Sequence, residues 1–252
     1  MSNPYESNRL LAEYLLFHYG RSEEILPYAF GPSSALDFPA RVVSECIDVA
    51  ALPPHAQALD VGCAVGRSSF ELARHCESVV GIDFSNAFVR AANTVKDGGR
   101  LPYERTEEGR LMTSLVACAP EGIDRTRLHF EAGDACELRA DLGQLDVVLA
   151  ANLVDRLPAP EKFLARLPAL VKPGGQLIIA SPFTWLEEYT PPDKWLGGYE
   201  RAGQRVVGFE TLRTILETDF EFCGSKELPM LIREHARKFQ WSISLAGTWR
   251  RR

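Results

Sequence analysis

No apolar run in this 252-residue chain approaches the ~20 residues that cross a bilayer, so a membrane span is not expected. The opening residues, MSNPYESNRLL, lack a basic stretch leading into a continuous apolar core, so no secretory signal is read and a cytoplasmic protein is expected. Cysteine is present but unpaired in pattern: Cys46, Cys63, Cys76, Cys118, Cys136 and Cys223 contain no C-x-x-C. The histidines form neither H-x-x-x-H nor H-E-x-x-H, so neither a disulfide framework nor a metal site is signalled. A positive balance is missing too, since 34 acidic against 28 basic side chains give −6, which favours a small-molecule partner over nucleic acid. The one basic concentration, Arg233, Arg237, Lys238, Arg250, Arg251 and Arg252, reads mostly as solvated surface. Repeats and low-complexity tracts are absent.

What is there is an alternation of short apolar runs with helical patterns from Gln57 onward, the signature of a parallel sheet with crossover helices. Strands are expected near 57–62, 78–83, 127–131, 145–150 and 175–181, followed by FEFCGSKEL and FQWSISLAG as a hairpin on the sheet edge. That is an α/β fold with seven mostly parallel strands and a reversed edge. Residues 1–56 form a helical extension that can cap the site, with NRLLAEYLLFHYG as its clearest helix, and residues 57–252 form the main domain. Two insertions, 97–124 and 183–208, are not needed for the sheet. The second, with TWLEEYTPPDKWLGGYE, is either a substrate-recognition loop or a surface loop pinned by Trp185 and Trp195.

The stretch LDVGCAVGRSSFELA sets a glycine turn between a buried-type strand and a helix, at the carboxyl end of the strand, where open α/β sheets bind ligands. It is not the dinucleotide fingerprint G-x-G-x-x-G: the glycines are Gly62 and Gly66, and Asp60 precedes them. A carboxylate there repels pyrophosphate and suits a ligand carrying an ammonium group. Asp83 ends the next strand, placed to accept both hydroxyls of a ribose, and Asp134 follows the third strand in FEAGDAC, placed for an adenine amino group.

Together, D-x-G-x-x-x-G, the strand-terminal Asp83, GDA and VKPGGQLII resemble the class I S-adenosylmethionine-dependent methyltransferases, whose fold is Rossmann-like. The resemblance implies S-adenosylmethionine as cofactor, S-adenosylhomocysteine as product and no metal. It implies a cofactor site of Asp60, Gly62, Cys63, Gly66, Arg67, Ser68, Asp83, Phe84, Ser85, Asp134, Ala135 and Asn152. Ala64 stands where many members have glycine, which matters if the position needs positive φ. Cys63 and Cys136 read as small buried filler.

A closer resemblance rests on NPYE, YLLFHYG, LDVGCAVGRSSFELAR, GIDFS, GDAC, VLAANLVDRL, SPFTWLEEYTPPDKWLGG and IREHARKFQWSIS. From Asn3 to Trp249 the chain is similar to the mercaptohistidine N-methyltransferases that complete ovothiol synthesis. The implied reaction methylates an imidazole nitrogen of mercaptohistidine, with a separate iron-dependent sulfoxide synthase supplying the thiol-bearing histidine. Asn152, Asp155 and Arg156, just past the fourth strand, are the first candidates for the acceptor pocket, with Asn152, Asp155 and His18 as catalytic candidates. Asp155 and Arg156 read alternatively as a surface ion pair. Arg156 or Arg233 can grip a carboxylate; Glu187 and Glu188 can meet an ammonium or ring N–H; Trp185 and Tyr189 can stack on the imidazole; Tyr14, His18 and Tyr19 can close over the cofactor. Rival readings are another small acceptor, a module that binds S-adenosylmethionine without turnover, and an NAD-dependent oxidoreductase, which the missing fingerprint disfavours.

Overall fold

The computed structural model describes residues 4–252; residues 1–3, including Asn3 of the NPYE segment, lie outside the described residues. The chain opens with α1 (Asn8–Tyr19), α2 (Ser22–Ile25) and α3 (Phe38–Cys46). Then come β1 (Gln57–Val61), α4 (Arg67–Leu72), β2 (Ser78–Asp83), α5 (Asn86–Gly98), the hairpin β3 (Arg100–Glu108) and β4 (Leu111–Cys118), and β5 (Leu128–Ala132). β6 (Leu145–Ala151), α6 (Pro160–Leu170), β7 (Val171–Ser181), the short hairpin β8 (Tyr199–Arg201) and β9 (Gln204–Val206), α7 (Gly208–Leu216), β10 (Phe220–His235) and β11 (Lys238–Arg251) complete it.

Seven strands form one sheet in the order β10-β11-β7-β6-β1-β2-β5. β7, β6, β1, β2 and β5 run parallel, whereas β11 pairs antiparallel with both β7 and β10, so the reversed edge is a hairpin with β11 on its inner side. All of β6 but its last residue is buried, as a strand covered on both faces requires, and its continuous LDVVLA run follows from that. The polar exception, Asp146, accepts from the Gln57 N–H at 2.8 Å and pairs with Lys172 at 2.8 Å. The chain leaves β1 toward β2 on one side and returns through β6 on the other, which opens a crevice above the carboxyl ends of β1 and β6.

The N-terminal helix forms where its apolar spacing places it. Ser7 accepts the Leu10 N–H, Leu15, Leu16 and Phe17 turn inward, and the chain leaves helical geometry at Gly20. Both insertions carry hairpins that the sequence reading left unassigned: β3–β4 in the first and β8–β9 in the second. The edge hairpin is also longer than FEFCGSKEL and FQWSISLAG indicate. Its pairing with β7 ends at Leu245↔Ser181, so residues 228–244 overhang the carboxyl edge by roughly 25 Å. The helical extension holds this overhang: Arg41 donates to the Pro229 carbonyl, Tyr28 to Ala236 and Arg233 to Glu24. Extension and hairpin thus rise together on one side of the crevice.

Gly81 of β2 leaves room for a packed neighbour rather than for a special φ. A Cβ there would meet Phe130 Cδ1 at 2.6 Å and Ser69 Oγ at 3.0 Å. Gly81→Ala is expected to destabilise the fold by about 1–3 kcal/mol in urea unfolding, as overpacking does; an unchanged midpoint would show that Phe130 yields freely.

Candidate active site

The turn after β1 depends on backbone sign. Gly62, Ala64 and Gly66 all have positive φ (77°, 48° and 94°), and Gly66 opens α4. The N–H groups of Gly62 and Cys63 donate to the Ile82 carbonyl at 2.8 and 3.1 Å, and that of Ala64 donates to Asp83 Oδ2 at 2.8 Å. At Gly66 a Cβ would come within 2.7 Å of Phe130 Cζ, so glycine is required by space as well as by φ. Ala64 therefore carries its methyl group in the left-handed region, where L-residues are strained.

Asp83 accepts the Ala64 N–H on one oxygen and the Ser85 N–H, at 2.8 Å, on the other. Burial raises its pKa to about 6. Each oxygen retains a lone pair, the number that two ribose hydroxyls need. Next to it the Phe84 ring is 66% exposed, a face on which a base can stack. Asp134 caps the turn after β5, accepting the Cys136 N–H at 2.7 Å, and Ala135 is buried behind it. This donor and acceptor set fits the nucleoside part of S-adenosylmethionine: Asp83 for the ribose, Phe84 and Asp134 for the adenine, and the Gly62–Gly66 turn for the chain that carries sulfur.

Several of the expected site residues are engaged in contacts within the protein. Asp60 does not line the crevice: it is 1% exposed, drawn beneath the turn by the Ser69 hydroxyl at 2.6 Å, and burial raises its pKa to about 7. The Ser68 hydroxyl donates to Pro39, docking α3 on α4, and the guanidinium of Arg67 pairs with Glu71. Cys63 is buried, and burial pushes its thiol up. His18 acts as a cap rather than a free base, its Nδ1 accepting the Arg67 N–H at 3.3 Å. Burial and the Arg67 charge lower it to about 3, so the ring stays neutral. The Tyr19 hydroxyl donates to the Val65 carbonyl at 2.6 Å and so supports the turn from above.

Asn152 sits at the end of β6 with φ 55°, its Oδ1 accepting the Ser244 hydroxyl at 2.6 Å and its amide donating to the Met230 sulfur at 3.0 Å. Its side chain ties the parallel sheet to the overhanging hairpin. Arg233 is 4% exposed and clamps three elements, donating to the Glu24 carbonyl and pairing with Glu107 at 2.8 Å, so it is not a substrate grip. Trp185 is 5% exposed and stacks on Trp195 with centroids 6.4 Å apart, which makes it a pin of the loop.

The acceptor side gathers around Arg156. Its guanidinium carbon lies 4.7 Å from the Tyr189 ring centroid, and among the described residues it makes no ion pair. Asp155, its neighbour in sequence, is wholly buried rather than part of a surface pair. One oxygen accepts the Thr184 N–H at 2.9 Å and Oδ1 has no partner. Glu187 and Glu188 are exposed. Tyr14 packs on Phe88 with centroids 4.8 Å apart, and burial together with the Asp83 charge raises its phenol to about 12. Tyr5, which the sequence reading passed over, stands 6.1 Å from Tyr14 and 6.2 Å from Tyr189, centroid to centroid, so it joins extension and insertion. The NPYE segment held that signal, but nothing in its spacing marked a site. A cavity of about 840 Å³ lies apart from these residues, between α1 and the β3–β4 hairpin, lined by Leu11, Leu101, Tyr103 and Met112 among others.

Residues 59–179 match the model of a family described as a methyltransferase domain. A ubiquinone biosynthesis O-methyltransferase of Coxiella burnetii is 25% identical over 123 residues, taking in 49% of this chain and 42% of that protein, so the match spans less than half of the relative. A SAM-dependent methyltransferase from Methanosarcina mazei superimposes with a TM-score of 0.53 at 18% identity, covering 80% of this chain and 94% of that one. The (4+2)-cyclase SpnF does so with a TM-score of 0.52 at 16% identity, covering 84% and 78%. At such identities the likeness is one of fold, and the cyclase shows that the fold alone does not fix the reaction.

Two outcomes follow. Ala64→Gly is expected to stabilise the protein by about 0.5–1 kcal/mol in urea unfolding, because it relieves a left-handed alanine; a loss would mean that the methyl packs favourably. Calorimetric affinity for S-adenosylhomocysteine is expected to fall about tenfold per pH unit below about 6, because the ribose hydroxyls bind ionised Asp83. Asp83→Asn should weaken binding and flatten that profile, and a flat wild-type profile would remove Asp83 from the site. The sign for folding is opposite. Asp60 and Asp83 are raised above their unfolded values, so their contribution to the free protein's stability falls as pH rises from about 4 to about 7. This cradle lies within residues 59–179, the segment that matches the methyltransferase-domain model, on a sheet with the Rossmann-like fold of the solved methyltransferases.

Proposed function

We propose that this protein methylates an imidazole ring nitrogen of mercaptohistidine, the last step in forming ovothiol A. The observation that carries the reading is Arg156, a guanidinium without an ion pair among the described residues, held over Tyr189 close to the cofactor cradle. A planar two-pronged donor of this kind answers a carboxylate, which an amino-acid acceptor brings. The segments shared with the ovothiol family outside the sheet motifs support the thiol-bearing acceptor in particular.

When bound, S-adenosylmethionine supplies an electrophilic methyl on a sulfonium. The chain's task is to position the acceptor in a site stripped of water. Arg156 fixes one end of the amino acid. Reaction at nitrogen requires the ring tautomer whose lone pair lies on the attacking nitrogen. Aiming that nitrogen also turns the thiolate, ordinarily the stronger nucleophile, away. A separate iron-dependent sulfoxide synthase would supply the substrate. The name of the Coxiella relative favours a second reading, methylation of an oxygen acceptor.

Initial rates with S-adenosylmethionine and a panel of mercaptohistidine, histidine and a catechol separate the two. Turnover of mercaptohistidine alone is expected, and turnover of the catechol alone would replace this reading with the second. Arg156→Lys is expected to raise KM for mercaptohistidine about tenfold or more with cofactor affinity unchanged, the loss of a charged hydrogen-bond pair; unaltered kinetics would move the carboxylate grip elsewhere.

A further inference from the structure

Arg156 is the charged member of a larger group. Around it stand three phenols from three separate parts of the chain: Tyr5 from the turn Pro4–Glu6, Tyr14 from α1 and Tyr189 from the second insertion. The Tyr5 hydroxyl is hydrogen-bonded with those of Tyr14 and Tyr189, and the guanidinium lies over the Tyr189 ring. Burial holds Tyr5 and Tyr14 protonated far above neutral pH, so each offers an O–H. Three phenol hydroxyls gathered around one guanidinium, with no ion pair to that guanidinium among the described residues, suit an anion with several acceptor positions.

Building on the acceptor assigned above, we propose that Tyr5, Tyr14 and Tyr189 complete the carboxylate subsite with Arg156, and that Tyr5 is a specificity-determining residue of this enzyme. A carboxylate has about four lone-pair positions, so it can accept from the forked guanidinium and from phenols at once. Its oxygens are better acceptors than another phenol. On binding, the hydroxyl contacts among the three tyrosines are exchanged for charge-assisted bonds to the acceptor, and the ring packing stays in place. Tyr5 also reaches the cofactor side. Its carbonyl accepts the Ser85 hydroxyl at 2.9 Å, and the Ser85 N–H donates to Asp83. The residue that grips the acceptor is therefore braced against the carboxylate that holds the ribose.

The test uses the full chain loaded with S-adenosylhomocysteine and titrated calorimetrically with mercaptohistidine and with its decarboxylated counterpart, mercaptohistamine. Wild type should prefer mercaptohistidine by about tenfold or more, the scale of charge-assisted bonds. Tyr5→Phe and Tyr189→Phe keep the rings and remove the hydroxyls; each should cut that preference several-fold while leaving affinity for S-adenosylhomocysteine unchanged. Variants that retain the wild-type preference, or that lose both compounds and the cofactor together, would overturn the subsite. If neither compound binds the wild type, the acceptor itself is wrong and the subsite falls with it, an outcome distinct from binding without preference.

Discussion

The two N–H bonds accepted by Asp83 are the constraint on which the site depends. One comes from Ala64 in the turn after β1 and the other from Ser85 at the start of α5. A single carboxylate thereby fixes two strand-end loops relative to each other. Around it, Gly62 and Gly66 take the backbone through positive φ so that α4 can begin where β1 ends. Burial opposes the charge on Asp83 and on Asp60 beneath the turn, and both pKa values rise as a result. The free protein therefore holds two carboxylates at an energetic disadvantage, one of which a ligand with two hydroxyl donors relieves.

A second layer stands over this cradle, built from parts distant in sequence. The β10–β11 hairpin continues past the carboxyl edge of the parallel strands, and the N-terminal helices lie against it. Tyr19 and His18 of α1 bond to the turn itself, at the Val65 carbonyl and the Arg67 N–H. The same helix carries Tyr14 toward Asp83 and Arg156. Extension, glycine turn and acceptor wall are thus one mechanical unit, so residues read from sequence as cofactor contacts prove to be the joints of that unit.

Where the chemistry is local, the sequence was legible. Gly62, Gly66, Asp83 and Asp134 are placed by a strand and the turn that follows it, and the apolar period of α1 depends on near neighbours alone. The parallel strands were found within a few residues. The extent of β10 was not, because residues 229–235 form strand only through pairing with β11 and support from α2 and α3. Long-range polar pairing also decided the misses. Nothing near Arg233 foretells Glu107, nothing near Asn152 foretells Ser244, and nothing near Tyr5 foretells Tyr189. Trp185 offered the same letters for a stacking platform and for a pin, and only its burial against Trp195 separates them.

The proposed reaction requires that the acceptor site aim a ring nitrogen and turn away a better nucleophile. Its most direct test is a reaction with S-adenosylmethionine carrying a 13C-labelled methyl and mercaptohistidine, read by carbon NMR of the product. Methylation of the ring nitrogen gives an N-methyl carbon correlated through bonds to the imidazole C–H. A labelled methyl carbon at the chemical shift of a thioether, with no correlation to a ring proton, would place the methyl on sulfur and contradict it.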